Sequence, residues 1–343
     1  MPKRKKAVSL QTIADQVGVS KYAVSLALNG KAGVSASLRE QIIRVAKESG
    51  YVRFPKTTPA KKLNILVLIP QYIQNDTAFY PNVYWAIEQS IQEQGHSAIF
   101  TSVSDEMSHF GQLPSALQEA KIAGMIVVGQ VPVSYMRKLL DTGLPCVSVD
   151  EHYRTVDVDC ILTANIHGAD QMVQHLIDCG HTDIGFIGAI HTTSSIFDRW
   201  VGYQNALARN GIAVNRSHCI TADSPKESLL SRFDELSRHL DGLLSLPTAW
   251  FCANDGTAVT LISLLRLRGI RVPEDISVVG FDDQSMAAMI SPSLTTYHVP
   301  RKELGSAAVH LLLFRIASPA CACREISVRG YPVYRDSVKN QKE

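Results

Sequence analysis

VSLQTIADQVGVSKYAVSLALNG, residues 8–30, reads as two short helices joined by a tight turn. Leu10, Ile13, Ala14 and Val17 recur at the spacing of a 3.6-residue period and so share one face. Gly18 supplies the turn, because a residue without Cβ tolerates positive φ. Ser20 stands where a side-chain oxygen caps the second helix. That helix hides Val24 and Leu28 and leaves Lys21, Tyr22, Ser25 and Asn29 pointing outward. Helix, glycine turn and capped helix with a polar outer face form the layout that puts a recognition helix into the DNA major groove. An ordinary helical hairpin is the competing reading, and the basic flanks weigh against it. A third helix, from about Ala36 to Ser49, follows Ser35 as cap and stops at Gly50. Its Leu38, Ile42, Val45 and Ala46 would close a three-helix core.

Charge separates this end from the rest. Residues 1–62 carry 13 Lys/Arg against 3 Asp/Glu, a net of +10, whereas residues 63–343 net −8. The whole-chain value of +2 therefore conceals a basic module on an acidic body, the footprint of a nucleic-acid reader attached to something else. The opening PKRKK is followed by no apolar segment of signal-peptide type and reads as a loose arm for phosphates or a solvated terminus.

At 343 residues the chain has room for two or three domains. No run of eighteen apolar residues is present, so no membrane partner is expected. The seven cysteines are odd in number and scattered, with no Cys-x-x-Cys pair, which suits free thiols in a reducing cytoplasm. Cys321 and Cys323 sit too close for a zinc knuckle. Enzyme chemistry finds little support, since there is no phosphate-cradling glycine loop, no G-x-S-x-G elbow and no H-x-x-x-H pair. No catalytic residue, metal or cofactor is expected.

From Leu63 onward, apolar runs alternate with amphipathic helices. Strands are predicted at 64–69, 97–102, 124–129, 145–150, 183–188, 249–254 and 276–282. Helices are predicted near 80–94, 166–179, 198–210, 225–240, 256–268 and 301–316. Apolar runs without alternation belong to strands covered on both faces, hence to parallel, doubly wound α/β sheets. Two sets of such units imply two lobes, with ligands bound beyond the carboxyl ends of the strands. Asp150, Asn254, Asp255, Asp282 and Asp283 close strands there, Arg199 opens a helix, and Phe79 and Tyr80 follow the first strand. Such a set suits a sugar or another small polar metabolite. The competing reading is that strand-end Asp and Asn merely cap the next helix, Asn254 above all.

Over nearly its whole length the chain resembles the LacI/GalR family of transcriptional regulators. The resemblance is carried by Leu10, Ile13, Ala14, Gly18-Val19-Ser20, Val24-Ser25, Leu28-Asn29-Gly30, Val34-Ser35, Arg39 and Gly50-Tyr51. In the body it is carried by HLIDCGHTDIGFIG, DRWVGY, CAND, VPEDISVVGFDD and SPSLTT. It implies an α/β protein: a small all-α helix-turn-helix headpiece (1–52), a linker (53–62) and a two-lobed periplasmic-binding-protein-like core (63–343). The first lobe would hold about 63–163 and 291–322, and the second about 164–290 and 323–338. It also implies a homodimer, or a tetramer, reading double-stranded operator DNA and repressing carbohydrate genes under a small-molecule effector, a sugar or sugar phosphate. By matched position, Leu10, Thr12, Ser20, Lys21, Tyr22, Ala23, Ser25, Asn29, Val34, Arg39 and Phe54 would meet DNA. Phe79, Tyr80, Asp150, Arg199, Asn254 and Asp282 would meet the effector. A DNA binder whose core no longer senses a ligand, or one sensing a nucleobase or nucleoside, is the alternative. An α/β enzyme with a fused headpiece is a third reading.

Two departures stand out. The family has an A-R-x-L hinge helix whose leucine wedges into the minor groove, whereas this chain has VRFPKTTP at 52–59 and no leucine from 52 to 62. Pro55 and Pro59 leave room for one helical turn at most, so an extended linker is predicted, with Phe54 as the one bulky apolar side chain. Ala164-Asn165 stands where the family often has Asp-Asn.

Overall fold

The computed structural model describes residues 9–28, 33–49, 62–76, 79–221 and 233–342. Contacts divide the chain into two units, with the division between Lys62 and Leu63.

The first unit is built from α1 (Leu10–Val17), α2 (Lys21–Leu28) and α3 (Ala36–Glu48). The Ser9 hydroxyl accepts the Thr12 N–H at 3.3 Å while the Ser9 N–H reaches the Thr12 hydroxyl at 3.4 Å, so the cap of α1 is reciprocal. Gly18, at φ 76°, ends α1 by donating its N–H to Ala14 O. Ser20 and Ser35 cap α2 and α3 through the N–H groups of Ala23 and Leu38. Ile13, Ala14, Val24, Ala27, Ile42 and Ala46 form the core. Leu28, expected inside, is only half-buried, because Ala27 is the residue one turn from Val24 that faces α1 and α3.

The second unit has two parallel sheets. The first contains β1 (Asn64–Pro70), β2 (Ser97–Val103), β3 (Ile122–Val128), β4 (Cys146–Val149), β5 (Asp159–Thr163) and β11 (Glu325–Val328), in the order β11-β5-β4-β3-β1-β2. The second contains β6 (Ile184–Ile187), β7 (Cys219–Ile220), β8 (Ala249–Cys252) and β9 (Ser277–Val279), in the order β7-β6-β8-β9. β10 (Thr296–His298) pairs antiparallel with β12 (Tyr331–Val333) and is bridged to the end of β9. Residues 65–68, 124–128 and 249–252 are buried throughout, which is why those runs lack alternation. Around the first sheet lie α4 (Tyr80–Glu93), α5 (Asp105–Phe110), α6 (Ala116–Glu119), α7 (Val133–Leu140) and α13 (Arg301–Ala317). The second lobe carries α8 (Asn165–Asp178), α9 (Ser194–Arg209), α10 (Phe233–Asp241), α11 (Asp255–Leu267) and α12 (Ser285–Met289). None of the described helices is long and apolar enough to cross a membrane.

The lobe boundaries differ from those expected. Residues 325–328 pair with β5 in register Glu325↔Cys160 to Val328↔Thr163, so they belong to the first lobe. Residues 295–298 belong to the second, since Gly280 and Asp282 donate their N–H groups to Thr295 O and Tyr297 O. The physical reason is the unsatisfied edge that β5 and β9 would otherwise present. A buried bidentate pair fastens the first exchange: Arg315 Nε and Nη2 donate to Asp159 at 2.6 and 2.9 Å, and Asp159 also accepts the Arg324 N–H at 2.7 Å. The remaining Arg315 donors reach the carbonyls of Pro319, Cys321 and Ala322.

Candidate functional site

Six elements bring side chains to the seam between the lobes. Asp150 directly follows β4, and the chain beyond β9 runs on to Phe281, Asp282 and Asp283. α4 begins at Phe79-Tyr80, α8 at Asn165, α9 with Ser194-Ser195, and α13 at Arg301. The Asp76 carboxylate caps α4 by accepting the N–H groups of Phe79 and Tyr80 at 3.0 and 3.1 Å. α9 closes onto α8 at Gly202, where a Cβ would stand 2.3 Å from Ile166 O, and this brings Arg199 beside Asn165. Asp150, Asp282 and Asp283 all take positive φ (64°, 112° and 52°), a conformation that costs about 1–3 kcal/mol at each non-glycine residue. The Asp150 and Asp282 N–H groups, donated to Ile161 O and Tyr297 O, help hold it.

Arg199 is the hub of the second-lobe wall. Its Nε–H donates to Asn165 Oδ1 at 2.9 Å and Nη1 to Ala253 O at 2.6 Å. Nη2 lies 3.2 Å from Asp282 Oδ1, and the guanidinium carbon sits 3.9 Å from the centre of the Phe281 ring. Two buried polar atoms beside it have no hydrogen-bond partner among the described residues: Asn165 Nδ2 and Asp282 Oδ1. The 3.2 Å contact thus supplies charge attraction without an aligned hydrogen bond. Because arginine can only donate, the oxygen of Asn165 must face it and the amide nitrogen must face away.

On the first-lobe wall the Tyr80 hydroxyl donates to Asp150 Oδ2 at 2.9 Å, and across the seam Ser195 Oγ donates to Asp150 Oδ1 at 2.9 Å. Next to it the Glu151 carboxylate accepts the Ser194 N–H at 3.2 Å. Burial raises the pKa of Asp150, opposed by Arg199 and by the Tyr80 and Ser195 hydroxyls. Burial raises Asp282 as well, opposed by Arg199 and reinforced by Asp150. Glu151 is pushed up to about 7, chiefly by burial.

Of the six effector residues expected from sequence, Tyr80 and Asp150 touch, Arg199 and Asp282 touch, and Phe79 packs edge-on to Tyr80 at 5.1 Å. Asn254 is adjacent in sequence to the Ala253 carbonyl that Arg199 holds, but its own Oδ1 caps α11 through the Thr257 N–H at 2.8 Å. The sequence reading missed Ser195, Phe281 and Arg301, and noted Asn165 only as part of the Ala164-Asn165 departure. Arg301 reaches from α13 to the carbonyls of Asp282 and Asp283 at 2.6 and 3.1 Å, and only its place on the first turn after a strand hinted at this. Asp255 proves to be internal, accepting from Gln284 N–H and the Thr296 hydroxyl.

In the headpiece, Lys21, Tyr22, Ser20 and Thr12 are exposed, Tyr22 at 73 %. Ala23, Ser25 and Arg39 are half-buried. Leu10 and Val34 pack against the headpiece core, so their side chains serve the fold. Asn29, Phe54 and the proline-containing linker lie outside the described residues.

Residues 9–53 match the bacterial regulatory proteins of the lacI family, and residues 173–338 match a periplasmic binding protein-like domain. The HTH-type transcriptional repressor PurR of Vibrio campbellii is 27 % identical over 338 residues, covering 96 % of this chain and 98 % of that protein. The ribose operon repressor of Haemophilus influenzae is 28 % identical, covering 97 % and 99 %. Among solved structures, the transcriptional regulator CelR in complex with cellobiose superposes with a TM-score of 0.69 at 25 % identity, covering 96 % of this chain and 99 % of that one. The lac repressor dimer bound to operator and the anti-inducer ONPF shares the fold, with a TM-score of 0.70 at 24 % identity and coverage of 97 % and 100 %. A helix-turn-helix headpiece joined to a two-lobed ligand-binding core defines a DNA-binding transcriptional regulator. The chain carries the lacI-family DNA-binding domain and a periplasmic-binding-protein-like domain, and its relatives are repressors of the lacI family.

Proposed function

We propose that this regulator is a cytoplasmic repressor, without catalytic activity, that releases or grips its operator according to a neutral polyhydroxylated effector, a sugar, held at the seam between the lobes. One observation carries the chemistry: Asn165 Nδ2 and Asp282 Oδ1 offer a buried donor and a buried acceptor on either side of Arg199. A hydroxyl accepts from one and donates to the other, which a phosphate cannot do. Asp76, Asp150 and Asp282 gather at the seam with Arg199 and Arg301, and both guanidinium groups donate to protein oxygens, so a sugar fits better than a sugar phosphate. The ribose operon repressor and the CelR complex with cellobiose, both similar to this chain, agree with this reading.

A palindromic operator calls for two copies. Tyr84, Trp85 (63 % exposed) and Phe100 form an aromatic surface where α4 meets β2, the edge strand of the first sheet, and this face suits a second copy of the chain. Calorimetry with a sugar panel tests the effector reading. Arg199→Ala should weaken binding of the sugar that the wild type takes by ten- to a hundredfold, as expected for a lost charged hydrogen bond. Unchanged affinity in a folded variant removes Arg199 from the site.

A further inference from the structure

Beside the interlobe seam, a hollow of about 520 Å³ opens on the first lobe, lined among others by Tyr72, Asp105, Gln130, Glu151 and His152. A second hollow of about 620 Å³, lined by His109, Phe110 and Ser134, shares Asp105, Ser108 and Pro132 with it. The shared walls make them one groove running from Tyr72 to Phe110. Each half is of the size that small-molecule sites have.

The inner end of the groove is tied to the seam. The Tyr72 hydroxyl accepts the Gln130 N–H at 2.8 Å and stands near Tyr80, whose own hydroxyl donates to Asp150. Glu151 lines the groove while its carboxylate holds Ser194 of the second lobe. Tyr72 is 48 % and Phe110 64 % exposed, so the groove has an aromatic side chain toward each end. His152 Nδ1, on the inner wall, is buried with no hydrogen-bond partner among the described residues. Aromatic faces give a sugar ring apolar C–H surface to stack on, while carboxylate, amide and imidazole groups take its hydroxyls.

We propose that this groove is an outer subsite, which receives the second and later units of an oligosaccharide whose first unit sits at Arg199. The inference rests on the sugar reading of the seam and adds that the effector is longer than a monosaccharide. Titration calorimetry on the full chain decides it, with D-glucose, D-xylose and the cello-, malto- and xylo-oligosaccharides of two to four units. In one series, affinity should rise at least tenfold from one unit to three. Phe110→Ala, at a surface position, should erase that rise and leave the affinity for the single unit in place, whereas Arg199→Ala should weaken every member. A single unit that binds as tightly as its longer homologues overturns the subsite and leaves the seam reading standing. So does a rise with length that Phe110→Ala does not touch. A wild type that binds none of these sugars overturns both.

Discussion

In the headpiece, Tyr22 stands 73 % exposed at the start of α2, while the helix behind it is held by capping serines and six buried apolar side chains. In the interlobe seam, Arg199 is 4 % exposed and spends Nε, Nη1 and Nη2 on Asn165, Ala253 and Asp282. The first surface presents its reading groups to a partner already assembled. The second ties Arg199 within its own lobe, leaves Asn165 Nδ2 and Asp282 Oδ1 for the proposed ligand, and joins the two lobes next to them through Ser195 on Asp150 and Ser194 on Glu151. That difference suits a division of labour in which one unit recognises and the other responds.

Three substitutions sharpen the contrast. The largest effect belongs to the buried pair behind the seam. Asp159→Ala leaves Arg315 buried without its carboxylate and frees the strand that returns to the first lobe. Urea denaturation should show a loss of roughly 3–5 kcal/mol, and a loss under 1 kcal/mol would mean that Arg315 and Asp159 do not hold the exchange.

Glu151 gives an intermediate effect that depends on pH. Its value in the folded protein, about 7, lies above the ordinary 4.5, so the folded state binds a proton that the unfolded chain has released between those values. The stability it contributes is fully present below about pH 4.5 and is lost as pH rises through 7. Glu151→Gln should flatten that part of the stability–pH curve and be more stable than the wild type at pH 8 by roughly 1–3 kcal/mol. Identical curves for the two proteins would show that burial at Ser194 does not burden this carboxylate.

The smallest stability effect is expected at Tyr22, where no core contact is lost. Tyr22→Ala should change unfolding free energy by less than about 0.5 kcal/mol while relaxing base preference at one operator position, since side chains at the start of a recognition helix meet base edges. Selection of bound duplexes from a random pool reads this directly, and an unaltered consensus contradicts the assignment.

What could be read in advance follows the same division. Helical periodicity placed α1, α2 and α3 and most of their core, because a surface helix writes its buried face into the residue spacing. Leu28 misled because a large apolar residue outweighs a neighbouring alanine in any such pattern, although Ala27 has the better angle toward the core. The long apolar runs of β1, β3 and β8 were equally plain. β5, with only Cys-Ile-Leu between polar residues, and β11, with Glu325 and Ile326 exposed, were not. Their pairing is long-range and leaves no local spacing, which is why 325–328 were placed in the other lobe. In the seam, Asp150, Arg199 and Asp282 stood out as polar residues at strand and helix ends. Asn165, Ser195 and Arg301 act through partners 18 to 45 positions away, and only the fold brings them in. Asn254 shows the reverse, a strand-end amide whose oxygen is occupied with capping the next helix.

The central claim is that a sugar at the seam controls grip on DNA, and one measurement meets it directly. Operator affinity of the full chain is measured on a duplex selected by the wild type, across a titration of the sugar that calorimetry identifies. The account predicts that wild-type affinity changes at least tenfold at saturation, that Arg199→Ala binds the free operator normally, and that its affinity does not move at the same sugar concentration. Wild-type affinity that stays constant while the sugar is bound would contradict it.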